Sequence, residues 1–101
     1  MSVTRRIDKE RSQVVIAIDG RFDFAQHKAF RDAYRDMDAR SMRFVVDLSD
    51  ASYLDSSALG MLLLLREYVG GDAGRINITG CGDDIRRVLK IANFEKLFTL
   101  D

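Results

Sequence analysis

The apolar positions of this chain change period several times, and each change marks an element. Gln13-Val14-Val15-Ile16-Ala17-Ile18 is rich in β-branched residues and stops at Asp19-Gly20, the pattern of a strand running into a turn. Val3 to Asp8 is a weaker strand candidate, with Lys9-Glu10-Arg11-Ser12 as the hairpin loop between the two. From Phe24 to Met37 the spacing becomes helical. Phe30, Ala33, Tyr34 and Met37 share one side, and Arg31, Asp32, Arg35 and Asp36 share the other. Arg43-Phe44-Val45-Val46-Asp47-Leu48 is an apolar run with charged ends, which predicts a central strand buried on both faces.

The second half continues the alternation. A helix is predicted from about Ser57 to Val69, stopped by Gly70-Gly71. A short strand from Arg75 to Thr79 ends at the turn Gly80-Cys81-Gly82. Asp83-Asp84 then opens a third helix, where the dipole favours acids. Its apolar positions are Ile85, Val88, Leu89 and Ala92, and Asn93 can supply a left-handed stop. Phe94 to Leu100 closes the chain as a short strand or a helical turn. The order β-β-α-β-α-β-α predicts an α/β fold, a single domain over residues 1–101. Its sheet is mixed but mostly parallel, with about four to five strands and roughly three or more packed helices. Phe22, Phe24, Phe44, Phe94 and Phe98 are assigned to the core, and Tyr34 and Tyr53 to the rim. Cys81 is assigned as a small buried apolar residue at a strand end.

Composition narrows the function classes. A length of 101 residues suits one modest core. The 16 basic and 16 acidic residues cancel and are interleaved, so the basic excess that drives nucleic-acid binding is missing. The longest apolar stretch, Met61 to Leu65, is too short to enter a bilayer as a span. The first residues carry no apolar run of the secretory kind, and the lone Cys81 allows no internal disulfide. Both features predict a cytoplasmic protein.

The candidate chemistry lies in Asp55-Ser56-Ser57, where the loop after a buried strand enters a helix. Crevices at the carboxyl ends of strands are the usual functional location in open α/β sheets, and the helix start offers unpaired N–H groups with partial positive charge. Ser and Asp are also preferred helix caps, so on residue type alone this is an ordinary cap, for which Ser57 is the better serine. A reactive serine needs a base, and the only histidine, His27, sits on the polar side of the first helix. The Gly-x-Ser-x-Gly elbow of hydrolases and the Gly-rich, Lys-bearing phosphate loop are both missing. The pattern points away from an enzyme and implies no cofactor or metal.

The wider context adds meaning to the motif. Val46-Asp47-Leu48-Ser49-Asp50-Ala51-Ser52-Tyr53-Leu54-Asp55-Ser56-Ser57-Ala58-Leu59-Gly60 resembles the signature of STAS domains, the family of bacterial anti-sigma-factor antagonists. Asp19-Gly20-Arg21-Phe22-Asp23 resembles the family's Gly-x-Leu-Asp turn, and Phe94-x-x-Leu97-Phe98 follows its closing order. The resemblance implies a regulatory binding module for an anti-sigma factor or similar regulator. It implies Ser56 as phospho-acceptor with Ser57 as runner-up, acted on by a GHKL-type serine kinase and a PP2C-type phosphatase. Asp23 and Asp55 would lie beside the acceptor. Ala58 departs from the glycine of many members and would place a methyl next to the acceptor loop. An alternative within the family is a constitutive subunit of a larger complex, such as a lipid-transport ATPase or a stress-signalling assembly.

A helical projection of the segment after the serines, at about 100° per residue, puts Ala58, Met61, Leu62, Leu65 and Val69 on one core-facing stripe. Gly60 and Glu67 fall opposite, flanked by Leu63 and Leu64. Two leucines there would be either covered by a neighbouring element or exposed as a docking patch beside the acceptor.

Overall fold

The computed structural model describes residues 2–71 and 76–101. β1 (Ser2–Asp8) and β2 (Gln13–Phe22) form the hairpin. A 3-10 turn (Phe24–Gln26) then leads into α1 (His27–Tyr34), followed by β3 (Arg43–Leu54), α2 (Ser56–Tyr68), β4 (Ile76–Thr79) and α3 (Asp83–Ile91). A second 3-10 turn (Phe94–Lys96) precedes β5 (Thr99–Leu100). Among the described residues the strands make one five-stranded sheet in chain order, β1-β2-β3-β4-β5. Only β1 and β2 are antiparallel; the other neighbours run parallel. This is the α/β architecture that the alternation predicts, and the closing segment is both of its alternatives, a helical turn and then a short strand. Arg75, expected in β4, lies outside the described residues.

The two faces of the sheet differ. Val14, Ile16, Ile18 and Phe22 of β2, Phe44, Val46 and Leu48 of β3, and Ile76 and Ile78 of β4 are buried. They form one core with Phe30, Ala33 and Tyr34 of α1, the predicted stripe of α2, and Ile85 and Leu89 of α3. The intervening Ala17, Val45, Asp47, Asn77 and Thr79 are only half-buried. β3 is therefore not buried on both faces as its apolar run suggested. Burial alternates along β3 and β4, and along β2 apart from Val15, buried at 8% exposure outside that core; the packed helices lie on a single face.

Both long strands outrun their sequence signals. Gly20 adopts a left-handed φ of 88°, yet β2 does not turn there and continues to Phe22. Register shifts between Ala17 and Asp19, and between Gly20 and Arg21, let β3 carry extra residues against β2. The expected loop from Ser49 to Leu54 is thereby held as strand, with Phe22 opposite Leu54 and both buried. β4 closes on β3 at Gly80, whose φ is 74°. A Cβ there would stand 2.8 Å from the Ser49 Cβ, so only glycine fits.

Two aromatic assignments change. Phe24 is 67% exposed, because it opens the 3-10 turn on the surface side. Tyr34 is buried, within a run of rings Phe22–Phe30–Tyr34–Tyr68 at centroid spacings of 5.1, 5.7 and 5.1 Å. The Tyr68 hydroxyl donates to the carbonyls of Arg35 and Met37, tying the end of α1 to α2. Asn93 takes the left-handed conformation, φ 62°, that ends α3. Cys81 is half-buried, and burial pushes its thiol pKa up.

Candidate functional site

β2 and β3 finish together. Phe22 and Leu54 are register partners, and the next residue in each chain segment is an aspartate. Both aspartates are extended, Asp23 at φ −137°, ψ −170° and Asp55 at φ −126°, ψ −173°. Each carboxylate folds forward onto the turn it introduces. Asp23 Oδ1 accepts the Ala25 N–H at 3.0 Å, and Asp55 Oδ1 accepts the Ala58 N–H at 3.1 Å. These are helix-capping contacts that satisfy otherwise unpaired donors. The register of Phe22 and Leu54 sets both aspartates at the carboxyl edge of the parallel strands.

The cap of α2 is thus Asp55, not Ser57. Ser56 becomes the first helical residue and is exposed; Ser57 is second and half-buried. Among the described residues no group hydrogen-bonds the Ser56 hydroxyl. Ala58, expected to set its methyl beside the acceptor loop, is fully buried. Its methyl packs into the core, and only its backbone N–H serves the site. Gly60 is exposed, with open space where a Cβ would stand. Further along α2, Leu63 is 39% and Leu64 53% exposed, so neither is covered by a neighbouring element. Leu64 lies on a groove between α1 and α2 that His27, Arg31, Tyr34, Arg35 and Tyr68 also line.

Sequence reasoning missed Arg21, Tyr53 and Phe24. Arg21 Nε lies 3.3 Å from Asp23 Oδ2, and its guanidinium carbon stacks 3.9 Å from the centre of the Tyr53 ring. Arg21 and Tyr53 are register partners on β2 and β3, a pairing created by the register shifts. Spacing along the chain gives no sign of it, although Arg21 stands inside the Gly-Arg-Phe-Asp segment. The half-buried His27 stacks on the exposed Phe24 at the start of α1, ring centroids 5.1 Å apart and 18° between planes.

The class defined by this geometry is a single-sheet α/β domain that presents an exposed, unengaged serine at the head of a helix, directly after the carboxylate that caps it. Residues 6–100 match a family profile described as Mlab, STAS domain. A STAS-domain-containing protein of Pseudomonas aeruginosa is 47% identical over 100 residues, 99% of each chain. The chain belongs to the STAS-domain family. Among solved structures, a putative anti-sigma factor antagonist from Thermotoga maritima matches with a TM-score of 0.82 and 16% identity, over 97% of this chain and 84% of that one. The Bacillus cell fate determinant SpoIIAA in its phosphorylated form matches at 0.67 and 17% identity, over 99% and 91%. At these identities the structural likeness establishes a shared fold. No helix among the described residues is long and apolar enough to cross a membrane.

Proposed function

We propose that this protein is a regulatory binding module of the anti-sigma-factor antagonist type, whose grip on a partner is switched by phosphorylation of Ser56. The observation that carries the reading is the division of labour at the head of α2. Asp55 does the capping, so the exposed Ser56 hydroxyl has no structural duty and is open to an incoming enzyme. Phosphorylation there adds roughly −1.5 to −2 charges and three acceptor oxygens. A helix N-terminus tolerates that charge, so the modified domain stays folded and the effect falls on the surface a partner touches. The exposed Leu63 and Leu64 supply apolar contact on the same helix, with Gly60, Ser57, Asp23 and Asp55 completing the surface. Each 1.4 kcal/mol lost there weakens a partner about tenfold. SpoIIAA, which shares the fold, has a phosphorylated form. The partner is an anti-sigma factor or a similar regulator; a GHKL-type kinase writes the mark and a PP2C-type phosphatase removes it.

The test is intact mass after incubation with such a kinase and ATP. Wild type and Ser57→Ala should each gain one phosphoryl group, and Ser56→Ala none. Undiminished uptake by Ser56→Ala would overturn the assignment. Ser56→Asp should lose the partner in a pull-down while its circular dichroism spectrum is unchanged. A partner that co-purifies stoichiometrically from cells, with Ser56 never modified, would instead favour a constitutive subunit of a larger complex.

A further inference from the structure

We infer that Arg21 is a phosphate-reading residue, parked on Asp23 and Tyr53 and placed to exchange the Asp23 carboxylate for a phosphate on Ser56. The inference rests on the reading of Ser56 as acceptor and concerns what the mark does once made.

Arg21 stands one residue short of the end of β2, but its Nε already reaches the Asp23 carboxylate at 3.3 Å. Its guanidinium therefore lies level with the residue that follows the strand. The parallel register sets Asp55 beside Asp23, and Ser56 is the next residue. Adjacent strands are only about 4.8 Å apart, so the acceptor and the guanidinium share one end of the sheet. Tyr53 holds the cation in place by its ring face at 3.9 Å, without using any of its N–H donors. Nε is the only nitrogen of Arg21 bonded to a described residue, which leaves both terminal Nη groups as free donors.

The competition favours exchange. The present Arg21–Asp23 pair is single-pointed, and both side chains are partly exposed, 55% and 22%. Pairs of that kind are weak and screened by salt. A phosphate dianion brings more charge and accepts the planar guanidinium fork through two parallel hydrogen bonds. On phosphorylation Arg21 turns its Nη donors to the phosphate, Asp23 loses its cation, and the Tyr53 face is uncovered. The modified protein thus presents a partly neutralised phosphate together with a newly bare Asp23 and an aromatic ring. A phosphatase or a second partner would meet that arrangement, which differs from a bare dianion.

The experiment needs no kinase. Phosphoserine is placed at position 56 of the full chain by amber suppression, and its phosphorus resonance is titrated. The ordinary second pKa is about 6. In the wild-type background it should fall below that value, and Arg21→Gln should raise it by about half a unit or more, since an adjacent cation favours the dianion. Arg21→Lys, which keeps the charge but loses the fork, should restore only part of the shift. The Arg21 Nε–H signal should move on phosphorylation and remain in place for unmodified protein over the same pH range. Equal phosphate pKa values in wild type and Arg21→Gln, or an unmoved Nε–H signal, would overturn the exchange while leaving Ser56 as acceptor untouched. Failure of a kinase to modify Ser56 would overturn the acceptor reading and leave this titration unaffected.

Discussion

Asp23 and Asp55 are nearly the same local structure used twice. Each follows a buried strand-ending residue, each is extended, and each carboxylate accepts a backbone N–H of the next turn at 3.0 or 3.1 Å. They differ in what they introduce. Asp23 caps a three-residue 3-10 turn, and its other oxygen is tied to Arg21; Asp55 caps a 13-residue helix whose buried stripe is part of the core. In both places the aspartate does the structural work, and the residue after it is freed. One such position carries the exposed Phe24 and the other the exposed Ser56. A cap therefore does not argue against a site. By satisfying the turn itself, it releases the neighbouring position for contact in one case and chemistry in the other.

That contrast predicts unequal costs. Asp55→Ala should destabilise by about 1–2 kcal/mol, the upper part of the range for a lost cap, because Ala58, Met61, Leu62 and Leu65 depend on the same helix. In a domain of this size the thermal midpoint should drop on the order of 5–15 °C, with Asp55→Asn recovering most of it. Asp23→Ala should cost less, about 0.5–1 kcal/mol, since the turn it caps is only three residues long. Asp23→Asn should lie close to wild type, because asparagine caps as well and the exposed pair with Arg21 is worth about 0–1 kcal/mol. Thermal unfolding of the four variants side by side decides this. Equal losses for the two alanines would mean that the short turn and the long helix are anchored alike, and the contrast would fail.

The same two corners show what the chain reveals and what it hides. Helical periodicity exposed α2 and its buried stripe within a residue at each end, because a 3.6-residue repeat is written into consecutive side chains. It separated Leu63 and Leu64 from that stripe, although coverage depends on neighbours and only the fold shows them exposed. The Asp-Ser-Ser segment was legible as a helix head, but which residue caps was not, since Asp and Ser are near-equal caps and the choice follows from where β3 ends. The apolar run of β3 stops six residues short of the strand's end. Its last stretch, Ser49-Asp50-Ala51-Ser52-Tyr53-Leu54, is too polar to look like a strand and is held by cross-strand pairing across two register shifts. Those shifts also created the Arg21–Tyr53 contact. Phe24 was misassigned for a related reason: aromatic character predicts burial on average, while its position at the start of a 3-10 turn decided otherwise.

The smallest effect tests the freed positions directly. A carboxylate placed at position 56 meets the unpaired N–H groups of a full helix, which favours it by about 0.3–1 kcal/mol at low salt, with the neighbouring Asp55 charge holding it to the lower part. Ser56→Asp should therefore raise the thermal midpoint by a few degrees at low ionic strength, on the order of 1–4 °C, and lose the gain as salt is added. Phe24→Asp puts the same charge beside Asp23, where a three-residue turn offers little aligned dipole. It should give no such gain. A Ser56→Asp protein less stable than wild type by more than about 1 kcal/mol would mean that negative charge loosens the head of α2. Phosphorylation would then act by changing the fold of the helix, and the surface reading of the switch would have to give way.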